Sequence, residues 1–408
     1  MNLFSSNIDE GLSLAQRIDP KYAPAWANKS PRAQAAMALY FLPHASRKPT
    51  LCPTRPRVVK WYCPFASQRH FPSGHRYCLN VYTGCSHACE YCYAAAYEPA
   101  AANVKQDFER SLEKDLADLE RFDVPPAPIH LSNSTDPFQP LESAAGHTRL
   151  ALQRILDHRS RFTTVVVLTK NPRLTVELGC DDLFRKLDAH PLHSSRPGFL
   201  IEVSLAFWRD EARQTYDPGA PSVENRIEGL RRLRRAGVNV VLRIDPLFPR
   251  GEERGAGVSP ALCAPLGWPL EDVNSSSPDA GRMPATHAGE TPATRGTPAT
   301  RLPTPQTLDD LERLVAFAKE VGVQHVVYST AKIVQPRTRP LSPTMQHMRA
   351  LYESIARQSQ PPERLTFRGG SWRLPPAAQS TITAPLLDLC RRHGVIAKCC
   401  WQNLIETP

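Results

Sequence analysis

Six apolar, strand-like runs alternate with amphipathic stretches of helical period between residues 79 and 357. The strand candidates are Leu79–Thr83, Ile129–Asn133, Thr163–Lys170, Phe199–Leu205, Val238–Ile244 and His325–Thr330. The helix candidates lie near 105–121, 144–158, 180–189, 223–236, 307–321 and 342–357. Strands this rich in Val, Ile and Leu are typical of a parallel sheet covered by helices. The alternation predicts an α/β fold, either a partial (β/α)6 barrel or a doubly wound sheet.

Composition limits the class of protein. The chain has 408 residues and is 41% hydrophobic, enough for one large domain with extensions or for two ordinary domains. It contains no run of eighteen apolar residues, and Met1–Gln16 lacks the pattern of a signal peptide. Its eleven cysteines, an odd number and partly clustered, fit a reducing compartment with metal chemistry. We therefore expect a cytoplasmic protein without a membrane span.

The barrel pattern divides the chain into three parts. We predict a basic N-terminal extension over 1–75, a partial barrel over 76–360 and a C-terminal extension over 361–408. Residues 251–306 interrupt the barrel with nine prolines and an imperfect Pro-Ala-Thr repeat that begins at Pro284, Pro292 and Pro298. Loops in such folds are usually much shorter, and a low-complexity stretch like this cannot bury a core. We expect the insertion to be disordered and dispensable.

The formal net charge of +10 is concentrated near the N-terminus. Residues 1–76 carry eleven Lys and Arg against Asp9, Glu10 and Asp19, with aromatic residues between the charges. Such an arm can follow a nucleic-acid backbone and stack on bases. It can equally be a solvated leader that packs on the barrel. Charge alone leaves both interpretations open.

Three cysteines follow the first strand candidate in the order Cys85-Ser-His-Ala-Cys89-Glu-Tyr-Cys92. Three thiolates on one short loop can bind three irons of a [4Fe–4S] cluster, which leaves the fourth iron open for a small molecule. Half of a zinc site, with His87 as a further ligand, is the alternative, although zinc sites usually pair two C-x2-C units. A zinc- or iron-binding nucleic-acid module without catalytic activity therefore stays an alternative to an enzyme.

Polar residues also follow the other strand candidates. They are Ser134, Thr135 and Asp136 after the second, Lys170 at the third, Ser204 at the fourth, Arg243 at the fifth and Lys332 after the sixth. In a parallel barrel these strand ends meet at one rim, where reactive groups belong. Charged groups are costly to half-bury without a partner, so their convergence predicts a polar ligand.

The cysteine spacing, with Tyr91 before the last cysteine, resembles the signature of the radical S-adenosylmethionine (SAM) enzymes. That resemblance implies the partial barrel, a [4Fe–4S] cluster bound by Cys85, Cys89 and Cys92, and SAM chelated at the open iron by its amino and carboxylate groups. It also implies that reduction of the cluster releases a 5′-deoxyadenosyl radical, with an electron donor of the flavodoxin or ferredoxin type. Within the superfamily, the runs from Leu79 to Cys92, from Ser134 to Glu142, Leu168-Thr-Lys170 and Glu202-Val-Ser204 resemble the spore photoproduct lyase-like branch.

Roles for the rim residues follow from the groups that SAM presents. Asp136 or the Thr135 hydroxyl can accept from its ammonium, and Lys170 or Arg243 can pair with its carboxylate. Family analogy brings Ser134 or Thr135, Lys170 and Ser204 close to SAM. An Asx-turn at Asp136-Pro137 is the structural alternative for Asp136.

The chain departs from authentic spore photoproduct lyases at His130-Leu-Ser-Asn133. Those enzymes have a cysteine hydrogen-atom donor nearby, and this stretch has none. The expected reaction is therefore radical hydrogen abstraction, of lyase or transferase type, from a substrate other than the usual thymine dimer. A nucleic-acid base or nucleotide is the leading substrate class, and a peptide or protein side chain is the alternative.

The remaining cysteines have no compact iron–sulfur spacing. Cys52, Cys63 and Cys78 precede the barrel, and Cys390, Cys399 and Cys400 lie at its end. They are candidates for a second cluster, for hydrogen-atom donation or for ordinary buried positions. Iron near four per chain would count against a second cluster.

Overall fold

The fold was analysed in a computed structural model, which describes residues 58–60, 76–96, 99, 101–121, 126–189, 197–249, 302–335, 340–368 and 370–399. Most of the predicted N-terminal extension, 1–57 and 61–75, and residues 251–301 of the predicted insertion lie outside the described residues; the last part of that insertion, 302–306, is described and ends at the buried Gln306. The predictions made for them, and the division into domains, therefore stay predictions.

A main sheet of eight strands organises the described chain. In spatial order it consists of β1 (Val59–Lys60), β2 (Tyr77–Leu79), β3 (Ala127–Leu131), β4 (Phe162–Thr169), β5 (Phe199–Ser204), β6 (Val240–Leu247), β7 (His325–Thr330) and β11 (Ile396–Cys399). A second, three-stranded antiparallel sheet has the order β8 (Ile333–Val334), β10 (Ser371–Arg373) and β9 (Thr366–Arg368).

Ten α-helices are found in the described residues. They are α1 (Phe108–Arg121), α2 (Glu142–Ala145), α3 (His147–Asp157), α4 (Pro172–Glu177), α5 (Cys180–Asp188), α6 (Asp210–Tyr216), α7 (Val223–Arg235), α8 (Leu308–Glu320), α9 (Pro343–Gln358) and α10 (Pro376–His393). Local signals explain several of their starts. Ser222 caps α7 through the Asn225 N–H, and Thr307 and Asp310 form a capping box at α8. None of the helices among the described residues is long and apolar enough to cross a membrane.

The strand order decides between the two predicted architectures. From β2 to β7 and on to β11 every neighbour is parallel, and the strands follow one another in chain order. Right-handed crossovers that always step in the same direction put their helices on one face of the sheet. A doubly wound sheet instead reverses its order at a switch point. The partial barrel is therefore confirmed, with seven parallel strands instead of six.

Most of the predicted boundaries are confirmed within a few residues, and the exceptions have physical reasons. The first predicted strand, Leu79–Thr83, is wrong: the strand ends at Leu79, and Val81 and Tyr82 are buried in the core from the loop that follows. The strand β11 was not predicted, because Ile396–Cys399 is short and Ile396 is 51% exposed at the sheet's edge. Residues of the predicted C-terminal extension thus complete the main sheet.

Buried strands supply the core that positions the rim. Seven of the eight residues of β4 are buried, as expected of a strand covered on both faces. Stacked and edge-on aromatic rings fill the space between sheet and helices, for example Phe184 against Phe199. The carboxyl ends of β2 to β7 are therefore fixed relative to one another.

The buried side chain of Gln306 ties the chain together where it re-enters the barrel after β6. Its amide oxygen accepts the Phe248 N–H at 2.7 Å, and its amide nitrogen donates to the carbonyls of Ala206 at 2.5 Å and Pro246 at 3.3 Å. One side chain thus satisfies backbone groups just after β5, at the end of β6 and just after β6.

Replacing Gln306 with alanine is expected to lower the free energy of unfolding by about 1–3 kcal/mol, because it leaves the buried Phe248 N–H without its acceptor. Urea denaturation measures this loss. Gln346→Ala is the control, since Gln346 is exposed and bonds only the carbonyl of Leu341. Equal stability of the two variants would contradict the role given to Gln306.

Candidate active site at the carboxyl ends of the strands

The cysteine loop, residues 85–92, begins directly after a tight approach of two backbone segments. Gly84 has φ +73°, and a Cβ atom there would lie 2.1 Å from the carbonyl oxygen of Ala101. Thr83 bridges Asn103 on the same segment. Inside the loop Ala88 also has a positive φ, of 49°. Only glycine fits the first position, and the second is a strained conformation of the kind found at functional sites.

Hydrogen bonds from two other loops hold the cysteine loop in place. The amide of the buried Gln139 accepts from the Ser86 N–H at 3.0 Å and donates to the Gly84 carbonyl at 3.3 Å. On the other side the Gly219 N–H donates to the His87 carbonyl at 3.0 Å, and the Glu90 N–H donates to the Tyr216 carbonyl at 3.0 Å. The loop is therefore fixed by the segments that follow β3 and α6.

All the site residues predicted from the sequence line one cavity of about 240 Å³. The set comprises Cys85, Cys89, Tyr91, Cys92, Ser134, Thr135, Asp136, Lys170, Ser204 and Arg243. The cavity opens where the carboxyl ends of the parallel strands meet, as expected for a barrel. The structure thus brings the cysteine loop and the strand-end polar residues together.

Lys170 joins the cysteine loop to the ends of β4 and β5. Its Nζ lies 3.0 Å from the Tyr91 hydroxyl and 3.1 Å from the Ser204 hydroxyl. Its charge is balanced by the Asp217 carboxylate, 3.7 Å away. Burial by itself would lower the pKa of Lys170, but Asp217 raises it above its ordinary value. Lys170 is therefore a charged donor at the rim.

Asp217 and Arg226 are site residues that sequence reasoning missed. Both are fully buried, and their side chains pair at 3.1 Å. Arg226 also donates to the Ser204 carbonyl at 3.3 Å and so fixes the end of β5. Burial would raise the pKa of Asp217, but the charges of Lys170 and Arg226 lower it to about 2. The signal that the sequence offered is Arg226 itself, an arginine among the buried residues of α7.

Asp136 lines the cavity and also holds the local backbone in place through hydrogen bonds. One carboxylate oxygen accepts the Phe138 N–H at 2.9 Å, as in an Asx-turn, and the Thr169 hydroxyl at 2.7 Å. The other accepts the Lys170 N–H at 2.6 Å. Thr135, by contrast, has a buried hydroxyl without a hydrogen-bond partner. Between the two predicted ammonium acceptors, these contacts favour Thr135.

Arg243 is engaged by two carboxylates, so that its charge is already balanced. It pairs with Glu202 at 2.6 Å and with Asp245, which also accepts from the Ser329 hydroxyl. Lys170 has a single carboxylate partner, Asp217, which lies farther away at 3.7 Å and also pairs with Arg226, so Lys170 is the favoured partner for a SAM carboxylate. Ser134 sits on the wall with its N–H bonded to the Asn80 side chain at 3.3 Å.

The chemistry of the three thiols fits an iron–sulfur cluster. Burial raises the pKa of Cys85 to about 11 and that of Cys89 well above its ordinary value, so the metal must displace their protons. In the part of the chain that the structure describes, no three His, Cys, Asp or Glu side chains could hold a single metal ion. Thiolates that each bind a different iron of a cube need not converge on one point.

The aromatic surroundings of the cysteine loop limit the access of water. The Tyr91 ring packs at 5.3 Å against Phe248 and at 6.2 Å against Phe207. His87 is buried beside Asp136, and burial lowers its pKa, which favours the neutral ring. The loop therefore lies between an apolar side and a polar cavity.

A partial barrel with a three-cysteine loop and polar strand ends in one cavity defines a class of cofactor-binding proteins. The family model of the radical SAM superfamily matches residues 79–253 of the chain, from the last residue of β2 to beyond β6. The cofactors of this superfamily are a [4Fe–4S] cluster and SAM. The superfamily, fold class and cofactors predicted from the sequence are thus confirmed.

The curated relatives are uncharacterized proteins. One, from Methanocaldococcus jannaschii, is 28% identical over 178 residues, which cover 43% of this chain and 62% of that protein. Another, from Mycobacterium tuberculosis, is 27% identical over 188 residues, 44% of this chain and 52% of that protein. The chain thus spans less than two thirds of the length of these relatives.

Solved structures resemble the fold loosely. Spore photoproduct lyase complexed with dinucleoside spore photoproduct is 10% identical, with a TM-score of 0.45, over 81% of this chain and 78% of that one. SuiB of Streptococcus suis bound to S-adenosylmethionine is 10% identical, with a TM-score of 0.35, over 69% of this chain and 46% of that one. Similarities at this level carry no inference about the substrate.

The other described cysteines lie outside the cavity wall. Cys78, Cys180 and Cys390 are buried, and Cys399 is partly buried in β11. Cys78 accepts a hydrogen bond from the Asn133 side chain at 3.2 Å. Cys52, Cys63, Cys263 and Cys400 are not among the described residues. A second cluster therefore stays a prediction.

Replacing Gln139 with alanine is expected to make the reconstituted cluster bleach at least about tenfold faster under a chelator, because the loop loses a buried hydrogen-bonding clamp worth about 1–3 kcal/mol. Absorbance of the cluster measures this rate. Gln153→Ala is the control, since Gln153 is exposed and bonds only Asp157. A bleaching rate equal to that of the control would rule out the clamp.

Proposed function

We propose that this protein is a radical SAM enzyme that removes a hydrogen atom from a nucleic-acid base or a nucleotide. One observation carries the enzyme assignment. The cysteine loop lines the same cavity as Lys170 and Ser204, at the carboxyl ends of parallel strands. A non-catalytic metal module would not require this convergence of polar strand ends.

The proposed ligands of the cluster are Cys85, Cys89 and Cys92. When bound, the cluster and SAM together supply the 5′-deoxyadenosyl radical that abstracts hydrogen. The residues of this chain orient SAM and exclude water from the cavity. Lys170, held charged by Asp217, binds the anionic end of SAM, while the Ser204 and Thr135 hydroxyls and the Tyr91 ring line its site.

Closure of the cavity is part of the proposal, because water would quench a radical. Strand β8 of the small sheet contacts the 3₁₀-helix Tyr93–Ala96, which directly follows the cysteine loop. Strands β9 and β10, from the C-terminal segment 361–408, belong to the same small sheet, and we expect this segment to help close the cavity. An electron donor of the flavodoxin or ferredoxin type completes the system.

The substrate class rests on charge and on the sequence resemblance. The chain carries a net charge of +10, and the Ser134–Glu142 run resembles the spore photoproduct lyase-like branch. Salt-sensitive binding of DNA or RNA would support a nucleic-acid substrate. Its absence would favour a peptide or protein side chain.

Replacing Cys89 with alanine is expected to abolish both the brown colour and the formation of 5′-deoxyadenosine, because the loop then offers two thiolates instead of three. Anaerobic reconstitution followed by dithionite and SAM provides the assay. Cys180→Ala is the control, since Cys180 is a buried core residue away from the cavity. A wild-type protein with a brown cluster but without 5′-deoxyadenosine would overturn the enzyme assignment.

Replacing Lys170 with methionine is expected to raise the Kd for SAM about tenfold or more, because a charged hydrogen bond contributes roughly 1.5–3 kcal/mol. Equilibrium dialysis with reconstituted, unreduced protein measures binding without turnover. Lys186→Met, at an exposed position paired only with Asp182, is the control. Unchanged affinity would remove Lys170 from the proposed SAM site.

A further inference from the structure

Arg76 is a cation in the cavity wall whose contacts differ from those of its neighbours. Its guanidinium lies 3.3 Å from the His130 Nε2, and its Nε is buried without a hydrogen-bond partner. Within the described part of the chain, no carboxylate lies within 4.0 Å of it, whereas Lys170 faces Asp217 and Arg243 faces Glu202 and Asp245. Arg76 thus keeps donors available for a ligand.

His130 accepts from Arg76 without neutralising it. Its ring is buried, and burial together with the charges of Arg76 and Arg243 lowers its pKa well below the ordinary value. The neutral ring offers an acceptor on one nitrogen. The positive charge therefore remains on Arg76, in a wall where an isolated charge is costly unless a ligand pairs with it.

The register of the sheet separates this position from the cysteine loop. His130 lies opposite Val166 of β4, four residues before Lys170. At 3.3 Å per residue, this places their backbones about 13 Å apart along the strands. Arg76 therefore belongs to the deep end of the cavity, and the cysteine loop belongs to its rim.

Ser132 adds a second unused polar group between these two levels. It lines the cavity two residues beyond His130, its hydroxyl is buried without a partner, and its φ is +61°. A serine in this conformation is strained, and such strain is typical of ligand sites. The guanidinium and the hydroxyl together offer donors suited to an oxyanion.

We propose that Arg76, oriented by His130 and assisted by Ser132, binds an anionic group of the substrate, a phosphate or a carboxylate, at the deep end of the cavity. The proposal rests on the proposed function in taking this cavity as the substrate site. The resemblance to radical SAM enzymes assigns the carboxylate of SAM to the open iron at the rim, so Arg76 is left for the second ligand.

The test uses the reconstituted full-length protein and two probes, inorganic phosphate and acetate. Phenylglyoxal modifies accessible arginines, and peptide mass spectrometry reports the modified fraction of Arg76 against that of Arg313, an exposed arginine paired with Asp309. We expect phosphate or acetate to slow modification of Arg76 at least fivefold, to leave Arg313 unchanged and to act equally well with saturating SAM. Stronger protection by phosphate indicates a nucleotide-like group, and stronger protection by acetate indicates a carboxylate.

A variant pair supplies the second readout. Arg76→Gln is expected to weaken binding of the protective anion at least tenfold in equilibrium dialysis, Arg76→Lys is expected to weaken it less, and Arg313→Gln is expected to have no effect. In all three variants the Kd for SAM should stay within twofold of the wild-type value. Absence of protection by both anions, or loss of protection when SAM is added, would overturn the proposal. Because none of these measurements needs turnover, a failed 5′-deoxyadenosine assay does not affect them.

Discussion

The buried charge cluster of Asp217, Arg226 and Lys170 is the constraint on which the rest of the site depends. A buried carboxylate is unfavourable unless cations and donors surround it, so the segments that carry these three residues must meet in one arrangement. Arg226 brings α7 onto the end of β5, and Lys170 brings the end of β4 to the same carboxylate. The segment around Asp217 in turn bonds the cysteine loop through Gly219 and Tyr216. One ion cluster thus sets the distance between the cysteines and the strand ends.

The cavity exists because the barrel interior holds charged side chains where closed barrels have layers of apolar side chains. Closed (β/α)8 barrels fill their interior with branched aliphatic side chains. Here Leu168 and Val327 share the wall with Glu202, Arg243 and other polar groups. In the Glu202–Arg243–Asp245 network two carboxylates pair with one guanidinium, so the charge of Arg243 is compensated within the protein and does not require a ligand. The polar residues of the lining are therefore of two kinds. Some have their partners in the protein and maintain the cavity, and others remain available to a ligand.

The sequence predicted the parts of the site that local pattern determines. Cysteine spacing and the polar residue after each apolar run depend only on neighbours in the chain, so Cys85, Lys170 and Ser204 were found. Asp217 was missed because its role comes from tertiary contacts with β4 and α7, and Tyr216-Asp217-Pro218 has the composition of an ordinary turn. Arg76 was counted with the basic arm, since nothing local shows that its side chain lies inside the barrel. The strand β11 was missed because its four partly or fully exposed residues show too weak a hydrophobic pattern.

Comparison of three cations in the cavity wall, Lys170, Arg243 and Arg76, shows why its two ends suit different ligands. Lys170 at the rim and Arg243 in the wall each have a carboxylate partner in the protein, and Arg76 has a neutral histidine. A ligand at the rim must therefore share Lys170 with Asp217, which favours a zwitterion whose ammonium can be met by a nearby hydroxyl such as Thr135. A ligand at the deep end meets a guanidinium that no carboxylate among the described residues pairs with, which favours a net anion. The pairing of charges, more than their number, thus supports the proposal that the zwitterionic amino-acid end of the cofactor binds at the rim and the anionic substrate binds in the interior.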